Sequence, residues 1–381
     1  MPQSPPDPAK ILFLFSDTGG GHRSAAEAII EALKIEYEDR IRTTMVDVFR
    51  EYAPPPLQHV PELYPRMVRA PRAWGLGFHL SDGQRRAKLI DASTWPYVRR
   101  NVRALIVQHP SDLIVSVHPL AIAPALRALR SLGKLQVPLV TVVTDLVTGH
   151  ALWYHRKAAL TLVPTRAAFQ RAVDCRLDPK RVKVVGLPVA DRFCQPVGDK
   201  NALRAQLEWP AEQPVILLVG GGEGMGPLEE NAHAIDEARL PAILVVIAGR
   251  NKDLKARLEA HNWSRPTLIY GFVHEMPDFM RAADIIVTKA GPGTISEALN
   301  AGLPMVLYSR LPGQEEGNVT YVTANGAGVW APQPDLIVTA LRDWIGHPEH
   351  RQKAAAAARQ LARPDAAQQI AHILAAKLGV E

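Results

Sequence analysis

At 381 residues and 47% apolar composition, the chain is about twice the length of a typical domain and can bury two cores, so two domains are the expectation. Its two cysteines, Cys175 and Cys194, have no CxxC or Cys/His spacing, which excludes a disulfide framework and a structural zinc cluster. The net charge of +6 divides into +10 for residues 1–195 and −4 for residues 196–381, so the first half carries all the basic excess.

In chain order, Met1 to Lys10 is proline-rich and acidic rather than a basic and apolar signal, and no later apolar run approaches the roughly 18 residues of a membrane span. A cytoplasmic chain is expected. Short β-branched and leucine-rich runs then alternate with helical patterns, the signature of parallel sheets with crossover helices. In the first half, strands are predicted near 11–15, 43–48, 112–117, 138–143, 159–163 and 182–185.

Residues 50–95 interrupt that rhythm with Pro54, Pro55, Pro56, Pro61, Pro65 and Pro71 and show no clean periodicity; a stretch this long is more often functional than idle. Residues 50–110 hold ten basic side chains against Glu51, Glu62, Asp82 and Asp91, interleaved with Tyr52, Tyr64, Trp74, Leu76, Phe78, Leu80, Trp95 and Tyr97. Basic and amphipathic aromatic residues together suit an anionic membrane surface. Nucleic acid would need similar charge, and a solvated basic face over ordinary core aromatics gives the same pattern.

A linker is expected near 188–200, around Pro188, Pro196 and Gly198. Second-half strands are predicted near 214–219, 242–247, 267–270, 284–288 and 304–308, followed by alanine-rich helices over 332–378. The expected division is a first domain over 1–195, a second over 196–364, and a last helix over 365–381 that crosses back to the first.

Two glycine-rich turns stand out, each after a buried apolar strand. One is Ser16-Asp17-Thr18-Gly19-Gly20-Gly21-His22; the other is Gly220-Gly221-Gly222-Glu223-Gly224. Glycine lets backbone approach a ligand, and a following helix N-terminus offers unpaired amides and a partial positive charge. A third turn, Lys289-Ala290-Gly291-Pro292-Gly293-Thr294-Ile295-Ser296-Glu297, leads from a strand into a helix. The amides of Gly293, Thr294 and Ile295, with the Thr294 hydroxyl, can hold a diphosphate, and Glu297 lies one turn on, where its carboxylate can take both hydroxyls of a ribose. A solvent-facing helix acid would also explain Glu297.

The order Gly271-Phe272-Val273, Gly291 to Glu297, Leu303-Pro304 and Gly313-Gln314-Glu315-Glu316-Gly317-Asn318 resembles the donor domain of the MurG-like inverting glycosyltransferases of family 28. Four further motifs narrow it: Ser16 to His22; Ser116-Val117-His118-Pro119; Val143-Thr144-Asp145-Leu146 with His150 and Trp153; and Gly220 to Pro227. Together they resemble the monogalactosyldiacylglycerol synthases and their bacterial diacylglycerol glucosyltransferase relatives, over residues 11–330. Residues 50–95 match no motif of that family.

The resemblance implies an α/β chain of the GT-B fold, two facing Rossmann-like doubly wound domains with a cleft between them. It implies an enzyme that moves galactose or glucose from a UDP-sugar to the sn-3 hydroxyl of diacylglycerol with inversion. By the same resemblance Phe272 and Val273 flank the uracil, Glu297 binds the ribose, and Gln314, Glu315 and Asn318 contact sugar hydroxyls. The glycine turns, Gly20, Gly21, Gly221 and Gly222 with Glu223, line the substrate. His22 is the candidate base, or holds the leaving phosphate, or caps a helix; Asp145 is the alternative base or orients the histidine.

His150 and His155 lack a third ligand at motif spacing, so no metal and no cofactor is expected. The expected partners are UDP-galactose or UDP-glucose, diacylglycerol and an anionic membrane, met from its cytoplasmic face, with no nucleic acid. The alternatives are transfer to a polyprenyl-linked or sterol-like acceptor, a UDP-sugar epimerase, and a catalytically silent lipid-binding protein. An epimerase has no need of a lipid surface, which weighs against it.

Overall fold

The computed structural model describes residues 7–18, 20–67, 70–222, 224 and 226–380. Gly19 and Glu223, named above, lie outside the described residues. The chain divides into two compact units. Unit 1 takes the chain up to Asp191, Leu311–Gln314 and the chain from Asp365; unit 2 takes Arg192–Arg310 and Glu315–Pro364.

Unit 1 opens with β1 (Ala9–Phe15), α1 (Gly21–Tyr37) and β2 (Ile41–Asp47). Three helices follow where the sequence shows no periodicity: α2 (Val60–Met67), α3 (Pro71–Ser81) and α4 (Gln84–Gln108). Then come β3 (Leu113–Ser116), α5 (Pro119–Ser131), β4 (Leu139–Val142), β5 (Leu160–Val163), α6 (Arg166–Asp174) and β6 (Val182–Val184). All pairs are parallel, in the order β2-β1-β3-β4-β5-β6, and the strand order reverses between β1 and β3.

Helices cover both faces of this sheet, so β3, β4 and β5 are buried along their whole length, as is β1 from Ile11 to Phe15, while the edge strands β2 and β6 carry exposed polar residues. In β1, Leu12 and Leu14 join Ile114, Ile122 and Trp153 in one cluster. Ile11, Phe13 and Phe15 join Ile29 and Leu33 of α1 on the opposite face. In α1 the apolar residues Ala25, Ala28, Ile29, Ala32 and Leu33 recur at helical spacing and face that cluster.

Unit 2 runs α7 (Lys200–Gln206), β7 (Val215–Val219), α8 (Leu228–Glu237), β8 (Ile243–Ile247), α9 (Lys252–Ala260) and β9 (Thr267–Tyr270). Next are α10 (Met276–Ala282), β10 (Ile285–Lys289), α11 (Pro292–Asn300), β11 (Met305–Ser309), α12 (Glu316–Ala324) and β12 (Gly328–Trp330). Two helices, α13 (Pro334–Gly346) and α14 (Pro348–Leu361), close the unit. Its parallel sheet has the order β12-β11-β10-β7-β8-β9, reversing between β10 and β7. Sequence reading had no strand at β12, a three-residue edge that starts on glycine.

The last helix, α15 (Ala366–Leu378), belongs to unit 1. Its Ala367, Ile370, Ala371 and Leu374 complete the cluster under α1, and Tyr37 Oη lies 2.9 Å from His372 Nδ1.

Candidate active site

In open parallel sheets a ligand finds room where the strand order reverses, because neighbouring connections leave in opposite directions at the carboxyl ends of those strands. Both units put chemistry-bearing residues at that point.

In unit 1 the reversal lies between β1 and β3. Gly20 is the N-cap of α1 with φ 79°; no side chain caps the helix and its first turn carries no acid. His22 sits in that turn, its Nδ1 2.8 Å from Thr144 Oγ1. Its ring meets His118 edge-on at 4.7 Å and lies 6.0 Å from the Trp153 ring. Burial among these groups lowers its pKa to about 4, against a smaller raising effect from a hydrogen bond to the Val117 carbonyl. The ring is therefore neutral at pH 7, as a proton acceptor must be. The pKa itself does not stay near neutrality, as an unperturbed histidine's would.

His118 is a different kind of residue. Its Nδ1 accepts from the Leu120 amide at 3.3 Å and caps α5, which leaves Nε2 as the protonated nitrogen, 3.3 Å from Thr18 Oγ1. Burial, then the neighbouring His22, hold it well below its ordinary pKa. Asp145 is buried and its two oxygens accept from different donors: Trp153 Nε1 at 2.6 Å and Gln314 Nε2 at 2.9 Å. It thus holds the indole that packs beside His22, and it holds Gln314. The hydroxyl at His22 Nδ1 belongs to its neighbour Thr144.

Gln314 reaches Asp145 because Leu311–Gln314 packs against α3. A Cβ on Gly75 would lie 2.7 Å from Pro312 Cβ, and one on Gly313, at φ 81°, would lie 2.5 Å from the Phe78 ring. Neither glycine has room for a side chain. Phe78 in turn meets His150 edge-on at 5.1 Å, and Arg171 binds Asp82 at 2.5 Å where α3 passes into α4.

In unit 2 the reversal lies between β7 and β10, and the glycine turns after both strands meet there. Lys289 ends β10, and its side chain fills the space between them. A Cβ on Gly291 would lie 3.0 Å from its Nζ, and one on Gly221 would lie 3.3 Å from its Cε. Lys289 Nζ is 3.3 Å from Glu315 Oε1, and Glu315 is buried. On the other side, Arg250 Nη1 lies 3.3 Å from where Gly222 would carry a Cβ, and its guanidinium covers the Phe272 ring at 4.1 Å. Two cations thus flank the turn after β7, a setting for an anionic group.

Gly291 is the N-cap of α11, with no capping side chain and no acid in the first turn. The Ile295 amide donates to the Gly291 carbonyl at 3.0 Å, so it is not a free donor as expected from sequence; Pro292 has no N–H, leaving Gly293 and Thr294. Glu297 is one turn on. Burial raises its pKa to about 7, opposed by Arg192. Asn318 is buried and its Nδ2 donates to the Ala290 carbonyl at 2.9 Å, which fixes the turn between Lys289 and Gly291. Phe272 is exposed and Val273 half-buried beside the Arg250 contact. By contrast α8, the helix after the Gly220–Gly226 turn, opens with Glu229 and Glu230, whose carboxylates already complement its N-terminus.

Sequence reading missed Thr144, Arg250 and Lys289 as functional candidates. Each lies at or just past a strand end; Thr144 and Lys289 stand inside the quoted motifs, where their neighbours Asp145 and the glycines drew the assignment, and Arg250 lies in none.

Residues 22–189 match the family model described as monogalactosyldiacylglycerol synthase, and residues 215–370 match the glycosyltransferase family 28 C-terminal domain. The chain is 39% identical over 374 residues to a probable monogalactosyldiacylglycerol synthase, chloroplastic, of Nicotiana tabacum, covering 96% of this chain and 70% of the relative. It is 39% identical over 365 residues to monogalactosyldiacylglycerol synthase 3, chloroplastic, of Arabidopsis thaliana, covering 93% and 78%. Among solved structures, Acinetobacter baumannii MurG superposes with a TM-score of 0.60 at 16% identity, covering 96% of this chain and 99% of that one. A putative UDP-N-acetylglucosamine 2-epimerase of Listeria monocytogenes gives 0.65 at 17% identity, covering 97% and 96%. Such identities speak for the fold alone, and transferases and epimerases share it.

Proposed function

The chain belongs to the monogalactosyldiacylglycerol synthase family, and from that premise we propose that it makes a β-galactosyl-diacylglycerol at a membrane surface. It is a UDP-sugar-dependent glycosyltransferase of the GT-B fold, which transfers the hexose to diacylglycerol. The residue roles, the choice of galactose over glucose and the membrane contact belong to the proposal.

Unit 2 binds the donor. Phe272 and Val273 take the uracil, ionised Glu297 accepts from the ribose hydroxyls, and the amides of Gly293 and Thr294 hold the diphosphate with Lys289. The observation that carries this reading is the position of Lys289, set between Gly221 and Gly291 at the strand reversal. In unit 1, neutral His22 takes the proton of the sn-3 hydroxyl as that oxygen attacks the anomeric carbon. The bond to UDP breaks on the opposite face, which inverts the centre. Gln314 and Glu315 address the sugar, Glu315 in company with Lys289.

The lipid surface is met by α3 and α4. Among the described residues no helix is long and apolar enough to cross a membrane. Leu76 and Leu80, four apart on α3, are 62% and 63% exposed, and Leu89 on α4 is 69% exposed. Arg85, Arg86 and Lys88 crowd the start of α4, where the helix dipole disfavours cations, so an anionic surface outside the helix is the natural partner. Attachment is peripheral, on a cytoplasmic membrane face; the relatives are named chloroplastic.

The test is incubation with labelled UDP-galactose or UDP-glucose over vesicles of diacylglycerol and phosphatidylglycerol, followed by lipid chromatography. Labelled monogalactosyl lipid is expected. Label from UDP-glucose alone would reassign the sugar, and no labelled lipid from either would overturn the acceptor.

A further inference from the structure

We propose that Asp343, His347 and His350 form a binding site for a divalent transition metal of the zinc class, at the junction of α13 and α14. Asp343 lies in the last turn of α13, His347 is the single residue between the helices, and His350 lies in the first turn of α14. Nδ1 of His347 is 3.1 Å and Nδ1 of His350 is 3.0 Å from the same oxygen, Asp343 Oδ1. The rings are 5.1 Å apart and inclined by 30°, and the three ligand atoms all lie within 4.8 Å of one another.

Ligand atoms about 2.0–2.2 Å from one tetrahedral zinc ion sit roughly 3.3–3.6 Å from each other, so each nitrogen–oxygen separation falls only a few tenths of an ångström short of shared coordination. The nitrogens must move slightly away from that oxygen, and their own separation, at most 4.8 Å, must come within the same range. Both rings are more than half exposed and can turn to do so. Imidazole with carboxylate selects zinc, nickel or copper over magnesium or calcium, and three protein ligands leave a position for water.

The backbone pre-forms this arrangement. The His347 amide donates to the Asp343 carbonyl at 2.8 Å and the His350 amide to the His347 carbonyl at 3.0 Å, while Pro348 starts α14. A metal here ties the two helices where one residue joins them. α14 is itself packed on the chain just past the end of α11, where a Cβ on Gly302 would lie 2.8 Å from Arg359 Cγ. None of the three ligands serves in the proposed donor or base roles. Two imidazoles donating to one carboxylate would use the same atoms without any metal, and the experiment separates the two cases.

Zinc chloride is titrated by calorimetry into the full chain, with any affinity tag removed, and the melting temperature is followed in parallel. Expected are one equivalent bound in the micromolar range and a rise in Tm of about 2–4 °C at saturating zinc, reversed by chelator. His347→Gln with His350→Gln abolishes both effects, and Asp343→Asn weakens binding by about tenfold or more. These side chains are exposed enough for the variants to fold, which circular dichroism checks; His350→Gln alone serves if the double variant does not. The d–d absorption of bound Co2+ gives an independent readout of histidine coordination. No saturable binding below millimolar zinc, or binding retained in the histidine variants, overturns the site.

Discussion

The strand reversals of the two units are built from opposite materials. In unit 1 the groups around His22 beyond β1 and β3 are rings and hydroxyls, His118, Trp153, Thr18 and Thr144, with the Asp145 carboxylate set behind the indole and the charges of that turn, Asp17 and Arg23, paired with each other at 2.6 Å. In unit 2 the space beyond β7 and β10 holds charges: Lys289, Arg250, Glu315 and Glu297. The contrast teaches where each half of a group transfer belongs. A diphosphate is recognised by cations and amides, whereas a hydroxyl must be deprotonated by a group that is uncharged beforehand, and burial among rings keeps His22 so.

The largest expected effect tests the unit 1 half. His22→Ala lowers kcat by about 100- to 10,000-fold, measured by lipid product under saturating donor. Near-normal turnover would remove His22 as the base. Next, Leu76→Glu with Leu80→Glu lowers partition into anionic vesicles by about 100-fold in co-sedimentation, since two leucines lose their burial. Arg86 is the wrong residue for that test, because its Nη1 donates to the His79 and Asp82 carbonyls at 3.2 and 3.0 Å and holds the turn from α3 to α4. Unchanged partition moves the membrane face elsewhere. Thr144→Val removes the hydroxyl at His22 Nδ1 and lowers kcat by about tenfold with little change in donor KM. An equal loss in KM would make it a packing residue instead.

The smallest effect sharpens the unit 2 half. Glu297 titrates near pH 7 in the free protein, and a ribose diol donates to the ionised form, so kcat/KM for the donor rises several-fold as pH rises through about 7. Glu297→Gln flattens that limb. His22, lowered to about 4, adds no inflection near its ordinary value of 6.5. A limb at 6.5 that survives Glu297→Gln would contradict the neutral His22.

Much of this was legible in the residues. The strands of both sheets except β12 read directly, because a central strand covered on both faces must be apolar along its length, as Ile11 to Phe15 and Val215 to Val219 are. The helices α2, α3 and α4 did not. Pro61, Pro65, Pro71 and Pro96 with Gly75 and Gly77 give them poor intrinsic helix propensity, and α3 instead draws on contacts such as Gly75 against Pro312 and Phe78 on His150. At the site, glycine turns announce backbone approaching a ligand, so Gly221, Gly291 and Gly293 were visible. Lys289 was not, because its importance comes from standing between Gly221 and Gly291, 70 residues apart along the chain. The Ile295 amide misled because the fourth residue after an N-cap already donates to the cap's carbonyl.

The division of labour is tested most directly by measuring UDP affinity by calorimetry in two variants side by side. His22→Ala should bind UDP within about twofold of the unaltered chain while losing turnover, and Lys289→Ala should lose about tenfold or more in UDP affinity. If His22→Ala loses UDP binding, or Lys289→Ala keeps it, the assignment of base chemistry to one reversal and diphosphate recognition to the other is wrong.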